Sequence, residues 1–204
     1  MYIPSFNRFE DRQQAISFMQ RYSFATIVTV KNDVPVATHL PFLVQQKDDQ
    51  IILRAHFAKA NPQALDCIGQ RALVIFTEPH AYISPKHYEK IESVPTWNYL
   101  VVHAYGVCTL RDDEENKAVL LKETISNYEA DYLKQWDALP NDYKQRMMKG
   151  IVAFEIIVDD LQAKAKLSQN RTEKERENII NQLSGAESTA EKETASYMKS
   201  LKTT

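Results

Sequence analysis

Residues 24–57, "FATIVTVKNDVPVATHLPFLVQQKDDQIILRAHF", read as strands joined by short turns. "FATIVTV" is rich in β-branched residues, which fit a pleated, half-buried surface. "KNDVP" carries the Asn and Asp that tolerate tight-turn backbone. "VPVATHLPFLVQQ" reads as a second strand with Pro41 inside it. Proline cannot donate to a ladder, so that strand has a bulge or lies at an edge. "KDDQ" turns the chain again, and "QIILRAHF" is the third strand.

Outward from this stretch the pattern continues. "NRFEDRQQAISFMQRYSF" predicts a helix with Asn7 as its cap, acids in its first turn, and Ala15, Ile16, Met19 and Tyr22 on one stripe. After the third strand, "AKANPQALDCIGQ" predicts a loop and a short helix with Pro62 at the first helical position. "RALVIFTE" is a fourth strand, and "PHAYISPKHYEKIESVP" a long loop rich in Pro, Tyr and His. A fifth strand runs from Thr96 to about Leu110. "DDEENKAVLLKETISNYEADYL" and "NDYKQRMMK" predict helices, Gly150 breaks the second, and "IVAFEIIVDDLQAK" is a sixth strand. From about Thr172 the chain is charged and poor in aromatics, which predicts one or two peripheral, partly mobile helices. Strands and long helices do not alternate, so a doubly wound parallel sheet is not expected. Hairpin-linked strands followed by segregated helices predict a mainly β fold, an antiparallel barrel with flanking helices.

Composition narrows the function classes. The chain has 204 residues, 44% hydrophobic and 25% charged, enough for one packed domain plus a tail without disulfides. The formal net charge of −2 shows no global basic surface for DNA phosphates. Cys67 and Cys108 sit in no CxxC or Cys/His pattern and read as buried small hydrophobes. "MYIPSFNRFEDRQQ" lacks a signal peptide's apolar stretch, and no run approaches the ~20 apolar residues of a membrane helix. A cytoplasmic protein with no membrane role is expected.

Five segments carry candidate chemistry. In "ATHLPF", Thr38, His39, Leu40 and Pro41 are either a plain strand with an exposed His, or a strand whose free backbone groups meet the edge of a flat ring. In "RAHFAKANPQAL", His56, Phe57, Lys59 and Asn61 precede a helix start, which suits a phosphate or simply a capped helix with a solvated lysine. In "HAYISPKHY", Tyr82 and Tyr88 cover either a ligand or the barrel end, and Ser84 has no GxSxG elbow. In "VPTWNYLVVHAYG", Trp97 offers a stacking face and Asn98 an amide matched to alternating N–H and C=O groups; His103, six residues on, would share a strand face with Trp97, or is a core-edge histidine bonded to backbone, the reading preferred. In "KAKLSQNR", Lys164, Lys166, Ser168, Gln169, Asn170 and Arg171 are a solvated turn or an arm offering hydrogen bonds to an anion or a polar ring edge. The five histidines are scattered without HExxH, so no metal site is expected. No Walker loop, no GxGxxG and no clear helix-turn-helix is present.

The segments "MYIPSF", "HLPF", "HFAKANPQ", "AYISPKHY", "VPTWNYLVVHAYG" and "KLSQNR", in this order over residues 1 to about 171, resemble the FMN-binding negative transcriptional regulators of the PaiB type. Glu78 stands where the resemblance leads us to expect a glycine, and His87 where it leads us to expect a tryptophan. The resemblance implies an FMN-binding split β-barrel over 1–171 and a homodimer with FMN at its interface; the charged pattern beyond it makes 172–204 a C-terminal helical tail. It implies Thr38, His39, Leu40 and Pro41 beside the isoalloxazine and His56, Phe57, Lys59 and Asn61 near the phosphate. Trp97 and Asn98 would come from the partner strand, and Gln169 and Arg171 would close the site. It also implies a regulatory role with a DNA or protein partner, direct DNA contact being left open. The competing function is a flavin-dependent oxidoreductase using the same interface, with His39, His56 or His103 as proton donors. A third is an interaction module whose pocket has lost FMN.

Overall fold

A computed structural model describes residues 1–9 and 11–201. Glu10, one of the acids expected at the first helix, and residues 202–204 of the expected tail lie outside the described residues. The first helix, α1, spans Arg12–Arg21. Its cap is Asp11, not Asn7: the Asp11 carboxylate accepts from the backbone N–H of Gln13 at 2.8 Å and of Gln14 at 3.2 Å. Asn7 instead lies buried in a single 3₁₀ turn, Ser5–Asn7.

β1 (Phe24–Lys31) and β2 (Val34–Pro41) form a hairpin. Asn32 and Asp33 take φ of 51° and 62°, the positive values a two-residue turn of this hand requires. The single strand expected over 34–46 is in fact two: β2 ends at Pro41, and β3 (Leu43–Lys47) starts after Phe42. β4 (Gln50–Ala58), the short α2 (Gln63–Asp66) and β5 (Arg71–Ile83) follow. β5 absorbs the start of the expected long loop. β6 is Thr96–Leu110. The long helix expected next is divided, α3 (Glu114–Tyr128) and α4 (Tyr132–Ala138), because Glu129 leaves helical backbone at φ −154°. α5 (Asn141–Lys149), β7 (Ile151–Lys166), α6 (Glu173–Ser184) and α7 (Thr189–Ser200) complete the chain.

The strands make one mainly antiparallel seven-stranded sheet in the order β2-β1-β5-β6-β7-β4-β3. The chain groups into two compact units. The barrel unit is Ile16–Phe76 with His103–Leu161, and the terminal unit is Met1–Ala15, Thr77–Val102 and Gln162–Thr204.

In the barrel unit, β2 and β3 stand at opposite ends of the strand order, yet only Phe42 separates them. The sheet must therefore curl until its edges approach. Pro41 permits this, since a residue without an N–H ends pairing with least loss. Inward positions of β4 and β7 alternate as period two requires: Ile51, Leu53, Ala55 and Phe57 from one strand, Val152, Phe154 and Ile156 from the other, all buried. Phe154 stacks on Phe57 at 4.9 Å and meets Phe42 edge-on at 6.1 Å. Outside, α3 covers β3, β4 and β7: Leu120 packs with Leu43 and Ala153, and Glu123 pairs with Arg54 and accepts from Gln45. The outward face of β2, β1 and β5 carries Val28 against Ala37 and Leu73, and Thr26 against His39 and Ile75. Phe24 and Val30 there are 67% and 52% exposed, and Val28, Leu73 and Ile75 are half-buried.

Cys67 and Cys108 are free and buried, as their sequence context implies, with Sγ atoms 3.3 Å apart. In the terminal unit, α6 opens with a capping box between Thr172 and Glu175. Ile179 and Leu183 of α6 and Ala195 and Met198 of α7 are buried, and Arg176 donates to the Met198 carbonyl at 3.1 Å. No described helix is long and apolar enough to cross a membrane.

Candidate functional site

In the barrel unit, Thr38 sits on β2 with its side chain turned from His39, because successive residues of a strand point to opposite faces. The Thr38 hydroxyl accepts from Asn61 Nδ2 at 3.0 Å and donates to Gln63 Oε1 at 2.6 Å. Gln63, 2% exposed, then donates to Thr29 Oγ1 at 2.9 Å and to the Val36 carbonyl at 3.1 Å. Asn61 Oδ1 also accepts the Gln63 backbone N–H at 2.9 Å. This chain ties the loop after β4 to β2, so the segments bearing His56, Lys59 and Asn61 and those bearing Thr38, His39, Leu40 and Pro41 share one corner. Gln63 was not singled out from the sequence. Nothing in the linear pattern marks a glutamine at a helix start as the hub of a buried network.

Around that corner the side chains differ in availability. His39 is exposed and stacks loosely on Phe24, centroids 6.4 Å apart. Leu40 is buried and Pro41 half-buried. Phe57 is fully enclosed in the core, so its backbone alone can face a ligand. Lys59 is exposed, and its ammonium has no bonded side-chain partner among the described residues. His56 is half-buried, and burial pushes its pKa below the ordinary histidine value. An unfolded chain thus binds a proton more readily than the folded one as pH falls below about 6.5. The expected result is full stability above that pH and progressive loss below it, with a smaller slope in His56→Gln; thermal melts across the acid range check this.

These groups suit a phosphorylated flat heteroaromatic. Lys59 brings a free cation, His56 a neutral imidazole, and β2 the unpaired backbone groups of an edge strand. Gln63 and Asn61 hold them in place.

The other four predicted residues lie in the terminal unit. Trp97 is half exposed, with His80 at 5.9 Å and Tyr82 at 5.8 Å between ring centroids. Asn98 faces the other way and is fully buried. Its Oδ1 accepts from Ser168 at 3.1 Å, and its Nδ2 points to Met198 Sδ at 3.5 Å. That amide has one donor and one acceptor engaged inside the unit, and Asn98 also lines the cleft there. Gln169 likewise serves its own loop, accepting from Leu167 N–H at 2.7 Å and donating to the Ala165 carbonyl. Arg171 lies 3.8 Å over the ring of Tyr88. "VPTWNY" and "KLSQNR", about 70 residues apart, thus meet around one cleft lined also by the N-terminal Tyr2, Pro4 and Phe6. Among the described residues no group of acids, histidines and cysteines could hold a metal ion.

Residues 1–160 match the family described as "Putative FMN-binding domain". The chain is 40% identical over 202 residues to the Protease synthase and sporulation protein PAI 2 of Bacillus subtilis, covering 98% of this chain and 97% of the relative. The fold is similar to that of the FAD and heme binding protein from Mycobacterium smegmatis, with TM-score 0.62 at 14% identity over 78% of this chain and 73% of that one. It is also similar to the flavocytochrome Anf3 from Azotobacter vinelandii, with TM-score 0.55 at 14% identity over 76% and 67%. The strand order and the ordered blocks of sequence agree with these likenesses, and the chain belongs to the FMN-binding domain family whose relatives include the PAI 2 protein.

Proposed function

We propose that the chain is a PaiB-type FMN-binding protein that acts as a negative transcriptional regulator. FMN lies at the interface of a homodimer, held by a split-barrel domain over 1–171 that carries a helical tail over 172–204. The observation that carries this reading is the partly exposed apolar outward face of β2, β1 and β5. Val28, Leu73 and Ile75 share that face with His39 and the exposed Phe24 and Val30. Contiguous apolar surface of this kind marks an interaction site, and a second copy would bury it. It lies on the same strand as the corner that bears His39 and Thr38, so pairing of two copies would wall in a flat ring there. The protein would bind, orient and enclose the flavin, which supplies the redox chemistry when bound.

The test combines two measurements on freshly purified protein. Absorbance should show a flavin band whose released chromophore is FMN, and sedimentation should show a dimer. Ile75→Lys should weaken dimerisation at least about tenfold, or about 1.4 kcal/mol, and release flavin with it. A monomer that retains FMN would refute the interface site. Direct DNA binding predicts a footprint whose affinity falls steeply with salt; no footprint at low salt would assign regulation to a protein partner.

A flavin-dependent oxidoreductase is the second reading, and His103 favours it. Its Nδ1 is buried with no hydrogen-bond partner among the described residues, and burial holds the imidazole neutral. The unpartnered Nδ1 is a proton acceptor, one whose basicity burial lowers below the ordinary histidine value. Anaerobic turnover with NAD(P)H would establish this reading, and its absence would leave the regulator.

A further inference from the structure

The cleft of the terminal unit, about 380 Å³ in volume, is lined by Lys164, Lys166 and Arg171 and by no carboxylate. We propose that it binds a small organic carboxylate with a flat apolar body, a ligand other than the flavin, and this holds whether or not the protein is a regulator.

The charge balance is the first support. Lys164 is only 9% exposed, yet its ammonium meets no acid among the described residues. It donates to the Tyr2 carbonyl at 3.3 Å and lies 5.2 Å and 5.9 Å from the ring centroids of Tyr99 and Tyr2. Lys166 donates to the Thr96 hydroxyl, and Arg171 rests on Tyr88. An ammonium has three donors and a guanidinium five, so each cation keeps donors in reserve. Buried charges are normally paired, and here three of the unit's acids are engaged elsewhere. Glu89 pairs with Lys174 at 3.0 Å, Glu175 caps α6 and accepts from Glu89 N–H, and Glu78 lies 3.7 Å from His80. A bound anion would supply the missing counter-charge.

The walls indicate what body the anion carries. Tyr2, Phe6, Pro95 and Tyr99 give flat apolar surfaces, which a bare phosphate would leave uncovered. The cleft has no glycine, so it lacks the backbone cradle typical of phosphate loops. An arginine fork matches a planar carboxylate. The volume is at the low end of the roughly 300–1,000 Å³ of small-molecule sites, enough for one ring and its acid. Three of the cleft's parts come from segments far apart in sequence, the N-terminus, the start of β6 and the end of β7.

The test uses the full chain with its flavin content measured first by absorbance. Benzoate, benzamide and inorganic phosphate are titrated by calorimetry. Benzoate should bind, with benzamide and phosphate each at least about tenfold weaker. Lys166→Met, whose side chain is only half-buried, should lose about tenfold in benzoate affinity. Lys164→Arg should retain binding, and circular dichroism checks that both variants fold. Saturating FMN should leave benzoate affinity unchanged. Equal binding of benzamide, tighter binding of phosphate, or no heat with benzoate into the millimolar range would overturn the proposal. Displacement of benzoate by FMN but not by riboflavin would also overturn it, since the cleft would then belong to the flavin's phosphate. A colourless protein that binds benzoate would refute the flavin reading and sustain this one.

Discussion

Phe154→Ala should cost the protein about 3–5 kcal/mol of stability. The phenyl ring lies between Phe57, stacked at 4.9 Å, and Phe42, edge-on at 6.1 Å, and Phe42 in turn meets Phe76 at 5.9 Å. Its removal forfeits the transfer energy of the ring and leaves a cavity that stiff strands on several sides cannot close. Phe42 is also the single residue that links the two edge strands, so loosening it acts on barrel closure as well as on packing. Domains of this kind are stable by only about 5–15 kcal/mol, so the variant stands near the threshold of folding. Denaturant titration reads the effect as a lower midpoint with an unchanged slope. Phe154→Leu should lose clearly less, since most of the volume is kept. A loss below about 1 kcal/mol for the alanine variant would mean that the aromatic cluster is not the centre of the core.

The second large effect is steric. Gly106→Ala should destabilise by about 3 kcal/mol or more, an overpacking cost at the upper end of its usual range. A Cβ at Gly106 would stand 2.3 Å from the Ile157 carbonyl oxygen and 2.6 Å from Ile156 Cγ2. A side chain can rotate aside, but a backbone oxygen within a paired strand cannot. β6 would have to separate from β7 locally, with the loss of ladder bonds. Gly185→Ala is the matching control. There the nearest atom to a new Cβ is the Asn181 carbonyl oxygen at 3.7 Å, an ordinary contact, and φ is −90°. That variant should melt within a degree or two of the parent, because alanine fits the observed backbone and restricts the unfolded chain. Equal melting of the two variants would show that β6 and β7 do not approach as closely as these distances require.

Much of the architecture was legible in the linear pattern because strand and turn signals are local. Asn32 and Asp33 announce a tight hairpin by residue type alone, and Gly150 marks the end of a helix whose pattern precedes it. Period-two burial in "IILRAHF" follows from the geometry of a strand, whereas in "IVAFEI" Ala153 is buried too, because α3 covers the other face. The misread positions were those where two local signals compete. Asn7 and Asp11 both suit a cap, and only the helix that forms selects between them. Pro41 signals a bulge or an edge, and the place of β2 at the end of the strand order selects the edge, while the next segment leaves as a separate strand.

The candidate site divides along the same line. The blocks of sequence that carry the family likeness could be read in order along the chain, and with them the class of ligand. The tertiary structure decided which of those side chains remain free. Asn98 and Gln169 look from sequence like donors for a ring edge, and in the fold each is engaged by a neighbour, one of them 70 residues away along the chain. Gln63, Lys164 and Tyr2 acquire their importance only through partners that no spacing rule connects to them. Hydrogen bonds and buried charges are satisfied in three dimensions, so sequence names the groups that can act, and folding determines which are left to do so.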